Sequence, residues 1–156
     1  MQKYLFGKII ITFLVSMVPV IELRGAIPIA TGMGLSPYIA IPVAMIGNLL
    51  PVPFIIMFIK KIFAFMRKIN AGFNKFVDRM EAKAEKNKEK VLKYAFWGLV
   101  LFVAVPLPGT GAWTGALVAA TLDMPLKKAF PSIALGVVIA GIVISFVSYG
   151  AASLFF

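Results

Sequence analysis

The sequence predicts an all-α integral membrane protein built as two inverted repeats. Each repeat is a re-entrant helical hairpin plus a transmembrane helix, and a basic amphipathic helix joins them. Three observations predict this. The 156 residues are 61% hydrophobic and only 14% charged, which is more apolar surface than a water-facing exterior can accommodate. The basic residues crowd into one segment. Prolines and glycines interrupt two of the four apolar stretches near their centres.

Taken in order, Lys3 and Lys8 flank an apolar run from Leu5 to Val18. No small-x-small cleavage site closes it before Pro19, and Glu22 follows, so the run is read as retained rather than as a signal peptide. After Pro19 come the tip Val-Ile-Glu-Leu-Arg-Gly and a short apolar piece, Ala26 to Thr31, ahead of Gly32 and Gly34. A re-entrant hairpin and a kinked spanning helix both fit this stretch. Pro37 to Ile59 is long enough to cross about 30 Å of hydrocarbon at ~1.5 Å per residue. Pro28, Asn48, Pro51 and Pro53 mark possible unwinding, with Asn48 expected to make a structural hydrogen bond rather than to bind a ligand.

Residues 60–92 form the connecting segment. Between Lys60 and Lys93 lie eleven of the sixteen basic residues, against four acidic ones, so this region supplies +7 of the +10 net charge. The positive-inside rule makes it cytoplasmic. Ile62, Phe65, Met66, Ile69, Phe73, Phe76, Val77, Met80 and Ala84 recur at a helical period. This predicts an amphipathic helix on the anionic inner leaflet, with a break at Asn70 and Gly72. A solvated linker that only sets topology competes with it. Nucleic acid is a poor partner for such a surface.

Tyr94 to Leu122 carries no charge, but Pro106, Pro108, Gly109 and Gly111 divide it into Tyr94 to Val105 and Ala112 to Thr121. Neither half spans, since each would be only about 15–18 Å long as a helix. A re-entrant hairpin follows. Ala129 to Phe156 is the second spanning stretch. Lys3-Tyr4-Leu5-Phe6 is similar to Lys93-Tyr94-Ala95-Phe96, and Pro37 and Pro125 begin the long helices, so residues 1–59 and 93–156 read as repeats of one membrane domain. One crossing per repeat inverts the second. The mouth at Asp123-Met-Pro-Leu-Lys-Lys128 is basic and expected inside; the uncharged mouth from Gly32 to Ser36, and both termini, are expected outside.

The candidate site is the pair of tips. Glu22 and Arg24 cost a few kcal/mol each at membrane depth. They cannot pair across i and i+2 of a helix, but they could in an unwound tip. One reading is an internal ion pair that locks the hairpin. The other makes Glu22 a proton carrier beside an anion ligand, Arg24, with Gly25 and Pro28 completing the first tip. The second tip offers Pro108, Gly109, Thr110, Gly111, Trp113 and Thr114. A half-helix starting near Gly111 would aim its positive end at a phosphate or carboxylate. Gly111 and Gly115 equally form a GxxxG packing face, as do Ser132 with Gly136 and Gly141 with Ser145.

The chain has no cysteine and no histidine. Disulfides, Cys/His metal sites, His-ligated haem and Ser-His or Cys-His nucleophiles are thereby excluded. An enzyme is not expected, nor is a cofactor or a metal.

Glu22-Leu-Arg-Gly-Ala-Ile-Pro28 together with Pro106-Leu-Pro-Gly-Thr-Gly-Ala-Trp-Thr-Gly115 resembles the small multidrug export protein family of prokaryotes. That family looks like a distant branch of the DedA superfamily, also called the SNARE-associated or VTT superfamily. The resemblance covers nearly the whole chain. It implies two re-entrant helices facing each other, lipid translocation (undecaprenyl phosphate among the lipids) and proton-dependent transport. Glu22 matches the acidic position of the first hairpin. DedA members carry an arginine in the second hairpin, and this chain has none there. The expected function is a proton-coupled transporter or lipid translocase of the cell (inner) membrane, acting between the tips. Its partners are a lipid-phosphate or small-molecule substrate, protons, anionic lipids and a second copy in a homodimer. Export of small cationic drugs through Glu22, or a non-transporting scaffold, are the alternatives.

Overall fold

The structure is a computed structural model that describes residues 2–69, 72, 74–79, 82, 94–107 and 109–155. All regular elements among them are helical: α1 (Gln2–Met17), α2 (Glu22–Gly32), α3 (Pro37–Leu49), α4 (Pro51–Ile69), α5 (Ala95–Ala104), α6 (Ala112–Thr121) and α7 (Leu126–Phe155). Two helical runs are long and apolar enough to cross a membrane, Pro37–Ile69 and Leu126–Phe155. Only 33% and 44% of their most apolar windows is buried inside the protein. A soluble core would cover such helices. Leaving them bare is tolerable where lipid is the solvent, so this is a membrane protein.

Local chemistry accounts for the breaks. Pro37 opens α3 from its first turn, the position where a missing N–H costs nothing. Leu50 separates α3 from α4 yet keeps helical angles, φ −58° and ψ −44°, so Asn48, Pro51 and Pro53 do not unwind the crossing. Pro28 likewise lies inside α2. It removes the N–H that would have reached the Arg24 carbonyl, without ending the helix. The crossing also continues ten residues past Ile59. Beyond it, residues 74–79 are helical, Arg67 donates to Asp78 at 2.8 Å, and Asn70 lies outside the described residues.

Each half folds α1–α2–α3 or α5–α6–α7, with the outer two helices parallel. Ile9 packs against the cluster of Ala30, Leu35 and Ala40, and Ser16 lies against Gly47; Ser132 Oγ donates to the Phe96 carbonyl at 2.5 Å, and Gly136 lies against Val103. Tight turns reverse the chain between α2 and α3 and between α6 and α7, closed by Leu35 N–H to Ala30 O and Met124 N–H to Ala119 O, both 3.0 Å. Each first stretch is therefore a hairpin, not a kinked rod. The two turns sit at opposite ends of the bundle. Tyr149, near the end of α7, donates to Leu35 O at 2.9 Å, whereas Lys60 of α4 pairs with Asp123.

One packing detail occurs twice. A Cβ on Gly47 would meet Phe13 O at 2.7 Å and Ser16 Oγ at 2.0 Å; one on Gly136 would meet Val100 O at 2.9 Å and Val103 Cβ at 2.7 Å. Each contact pairs a carbonyl with the side chain three residues on. Pro42 and Pro131 stand five residues ahead of the two glycines. Small residues thus let the long helix touch the first hairpin arm in both halves. Alanines 26, 44, 112, 116, 119, 129 and 140, all buried, extend that close packing through the common core.

Candidate functional site

The two hairpin tips meet, and the charges of the first are spent on the broken backbone of the second. Residues Val18 to Ile21 form the first turn, with Val20 at φ +75° and almost fully exposed. Glu22 follows at φ +50° and opens α2, so the Glu-x-Arg pair stands on a helical first turn, where an unwound tip was expected. The two side chains do not form a salt bridge with each other; the ion pairs among the described residues are Lys60–Asp123 and Arg67–Asp78.

Glu22 is 4% exposed. Its carboxylate accepts hydrogen bonds from the backbone N–H of Trp113 at 3.0 Å and of Ala112 at 3.3 Å. Those are first-turn amides of α6, which no helical carbonyl can reach, at the positive end of the helix dipole. Gly111 is the N-cap. A Cβ there would lie 1.6 Å from Glu22 Oε2, so only glycine admits the carboxylate. The half-helix start was expected to hold an external anion; here it holds the protein's own.

Arg24 takes the other side of the same break. Its guanidinium donates to the carbonyls of Val105 at 2.9 Å, Thr110 at 3.0 Å, Val103 at 3.4 Å and, with a short contact, Leu107. It also donates to Thr110 Oγ1 at 3.1 Å. These carbonyls belong to the C-terminal end of α5 and the turn beyond it, where acceptors are left over and the dipole is negative. A planar fork with five donors suits several carbonyls at once. Thr110 Oγ1 in turn lies 2.8 Å from both Val105 O and Leu107 O. Gly109, at φ +79°, makes the turn.

The exchange runs in the other direction too. The Trp113 indole N–H donates to Met17 O at 3.0 Å, closing the C-terminal end of α1. Gly25 leaves room for Ile21, whose Cγ2 would lie 2.5 Å from an added Cβ. Thr114 stands in the first turn of α6, half-buried, without a hydrogen bond to either charge. Pro108 lies outside the described residues. Apart from Thr110 Oγ1, the acceptors for Arg24 and Trp113 are backbone atoms, so no residue type in the sequence announced them. An uncompensated arginine facing a Pro- and Gly-broken helix was the available signal.

Asn48 departs from its expected role. It is 1% exposed, yet neither Oδ1 nor Nδ2 has a hydrogen-bond partner among the described residues.

No curated protein and no solved structure matches the chain. A family model described as "Putative small multi-drug export protein" matches residues 22–143, beginning at Glu22 itself and taking in Arg24, the whole second tip and more than half of α7. The chain belongs to that family.

Proposed function

We propose that this protein is a proton-coupled membrane transporter or lipid translocase whose substrate site forms where the two hairpin tips meet. Turns at opposite ends of the bundle and the repeated glycine contact support two inverted repeats with re-entrant hairpins, a transporter architecture. The charge bias makes the Lys60 end cytoplasmic in an inner membrane, which puts both termini outside. The basic segment then lies toward anionic lipids. Four membrane elements are thin walls for a pathway, so a homodimer is the expected assembly.

The observation that carries the reading is a buried carboxylate occupying a helix N-terminus. A protonated Glu22 has no charge to give the amides of Ala112 and Trp113, and charge-assisted hydrogen bonds are about twice as strong as neutral ones. Protonation therefore loosens the junction and offers those amides, with Arg24 beside them, to the phosphate or carboxylate of a substrate. Deprotonation returns Glu22 to its place and expels the anion. The cycle couples one proton to one opening.

A purely structural clamp is the second reading, favoured by the fact that both charges already have partners. Proteoliposomes separate the two. With Glu22→Gln, proton-driven flux or lipid flip should be lost while the fold persists, and Arg24→Ala should lose binding of anionic lipid analogues. Flux unchanged by both substitutions would leave only the clamp. Loss in Glu22→Gln with Arg24→Ala unaffected would place a cationic substrate on Glu22 alone.

A further inference from the structure

The buried amide of Asn48 has no structural explanation. It lies on the stripe Ala44–Asn48–Val52, whose other members are fully buried in the common core. Its counterpart in the second half, one residue after the matching glycine, is Val137, equally buried. An apolar side chain of similar size thus fills the same place without difficulty. The helix facing each glycine differs in the same sense. Thr12 and Ser16 of α1 are buried where α5 presents Leu99 and Val103. Both hydroxyls donate to their own helix, Thr12 to Lys8 O at 2.8 Å and Ser16 to Phe13 O at 2.7 Å, which leaves their lone pairs able to accept.

Depth matters as well. Asn48 stands eleven residues into the helix that Pro37 opens and Glu22 ten residues before the end of α2. At a rise of ~1.5 Å per residue on two antiparallel helices, both lie about 15–17 Å from the shared turn. That is near the middle of the bilayer. An amide with oxygen and nitrogen both unpaired requires a partner that donates and accepts. A cation satisfies only Oδ1, and an anion only Nδ2. Water satisfies both.

We propose that Asn48 is an internal water-binding site at the level of Glu22, and that its water, with Ser16 and Thr12, forms the polar step by which a proton reaches the hairpin junction. The hydration stands on packing alone; its part in proton movement rests on the transport reading above.

Water-edited solid-state NMR on the full chain in phosphatidylethanolamine/phosphatidylglycerol vesicles tests it. The Asn48 side-chain NH2 signal, assigned by its disappearance in Asn48→Val, should receive water magnetisation early while the Val137 methyls stay dry. Asn48→Val should fold with an unfolding midpoint no lower than wild type and lose proton flux. Asn48→Ser, which keeps a hydroxyl and leaves room for water, should retain flux. An Asn48 amide as dry as Val137 overturns the inference, and so does full flux in Asn48→Val. A wet Asn48 in a protein whose flux ignores Glu22→Gln leaves the hydration standing and sinks the transport reading instead.

Discussion

Gly47 and Gly136 occupy the same place in the two halves of the chain, yet what surrounds them differs. Against Gly47 stand Phe13 and Ser16, with buried Asn48 next in sequence; against Gly136 stand Val100 and Val103, with buried Val137 next in sequence. The tips differ in the same direction. The first carries Glu22 and Arg24, and the second offers peptide groups to both. Two halves with one packing scheme therefore divide the labour: one supplies buried polar side chains, the other supplies backbone groups that its own helices leave without a partner. In hydrocarbon neither could stand alone, since an open helix end and a lone charge each cost several kcal/mol there. Brought together, each removes the other's cost.

Breaking that division at its tightest point should have the largest effect. Gly111→Ala puts a methyl group where Glu22 Oε2 sits, so the carboxylate must leave the α6 amides while remaining buried. The expected loss is about 3–5 kcal/mol, the cost of stranding one member of a buried charged contact. Denaturant titration of the purified protein, followed by tryptophan fluorescence, measures it. Glu22→Gln keeps the acceptor oxygen and should lose clearly less. Equal losses in the two variants would mean that the charge itself is the chief source of stability.

The second prediction sharpens the comparison between the glycine contacts. Gly47→Ala and Gly136→Ala should each cost about 1–3 kcal/mol through overpacking against a neighbouring helix. Their rescue should differ. Ser16→Ala removes the hydroxyl nearest the new methyl and should restore part of the Gly47→Ala loss. Val103→Ala retains the Cβ that collides at 2.7 Å and should restore little. Double-mutant cycles on unfolding midpoints read both. Rescue of equal size in the two halves would show that the hydroxyl has no packing role of its own.

Much of this fold was legible because its causes are residue types. Proline and glycine clusters divide Tyr94 to Leu122, and the halves appear as α5 and α6 within a residue of the expected bounds. Small-residue spacings at Ser132, Gly136 and Gly141 do lie at close helix contacts. What was illegible belongs to the backbone. Glu22 and Arg24 read either as an ion pair in an unwound tip or as a proton carrier beside an anion ligand, because sequence gives only separation along the chain. It does not reveal that α6 would offer bare amides and α5 bare carbonyls on the two sides of one break. Prolines misled for a related reason. Pro28 leaves a single hydrogen bond missing inside α2, and Pro51 and Pro53 fall in the first turn of α4, where no helical N–H is needed, so the helical run Pro37–Ile69 continues through them. Asn48 was read as a hydrogen-bonded residue by the general rule for buried amides, and only the packed bundle reveals it without a partner.

The smallest predicted effect concerns how α1 is closed. Arg24 covers several carbonyls beyond α5, but the end of α1 relies on the Trp113 indole reaching Met17 O at 3.0 Å. Trp113→Phe keeps most of the ring and removes that donor, so it should cost about 1 kcal/mol, the net worth of one neutral hydrogen bond. Unfolding followed by circular dichroism, which does not need the lost indole, reads the change. If the two ends are held as unequally as the contacts imply, Arg24→Ala will cost well over Trp113→Phe, because four carbonyls lose their donor at once. Equal costs would mean that one bond in the Arg24 fan does most of the holding, and the nearest to ideal geometry is the one to Val105 O at 2.9 Å. The first hairpin would then be tied to the second by three single contacts of similar strength, through Glu22, Arg24 and Trp113.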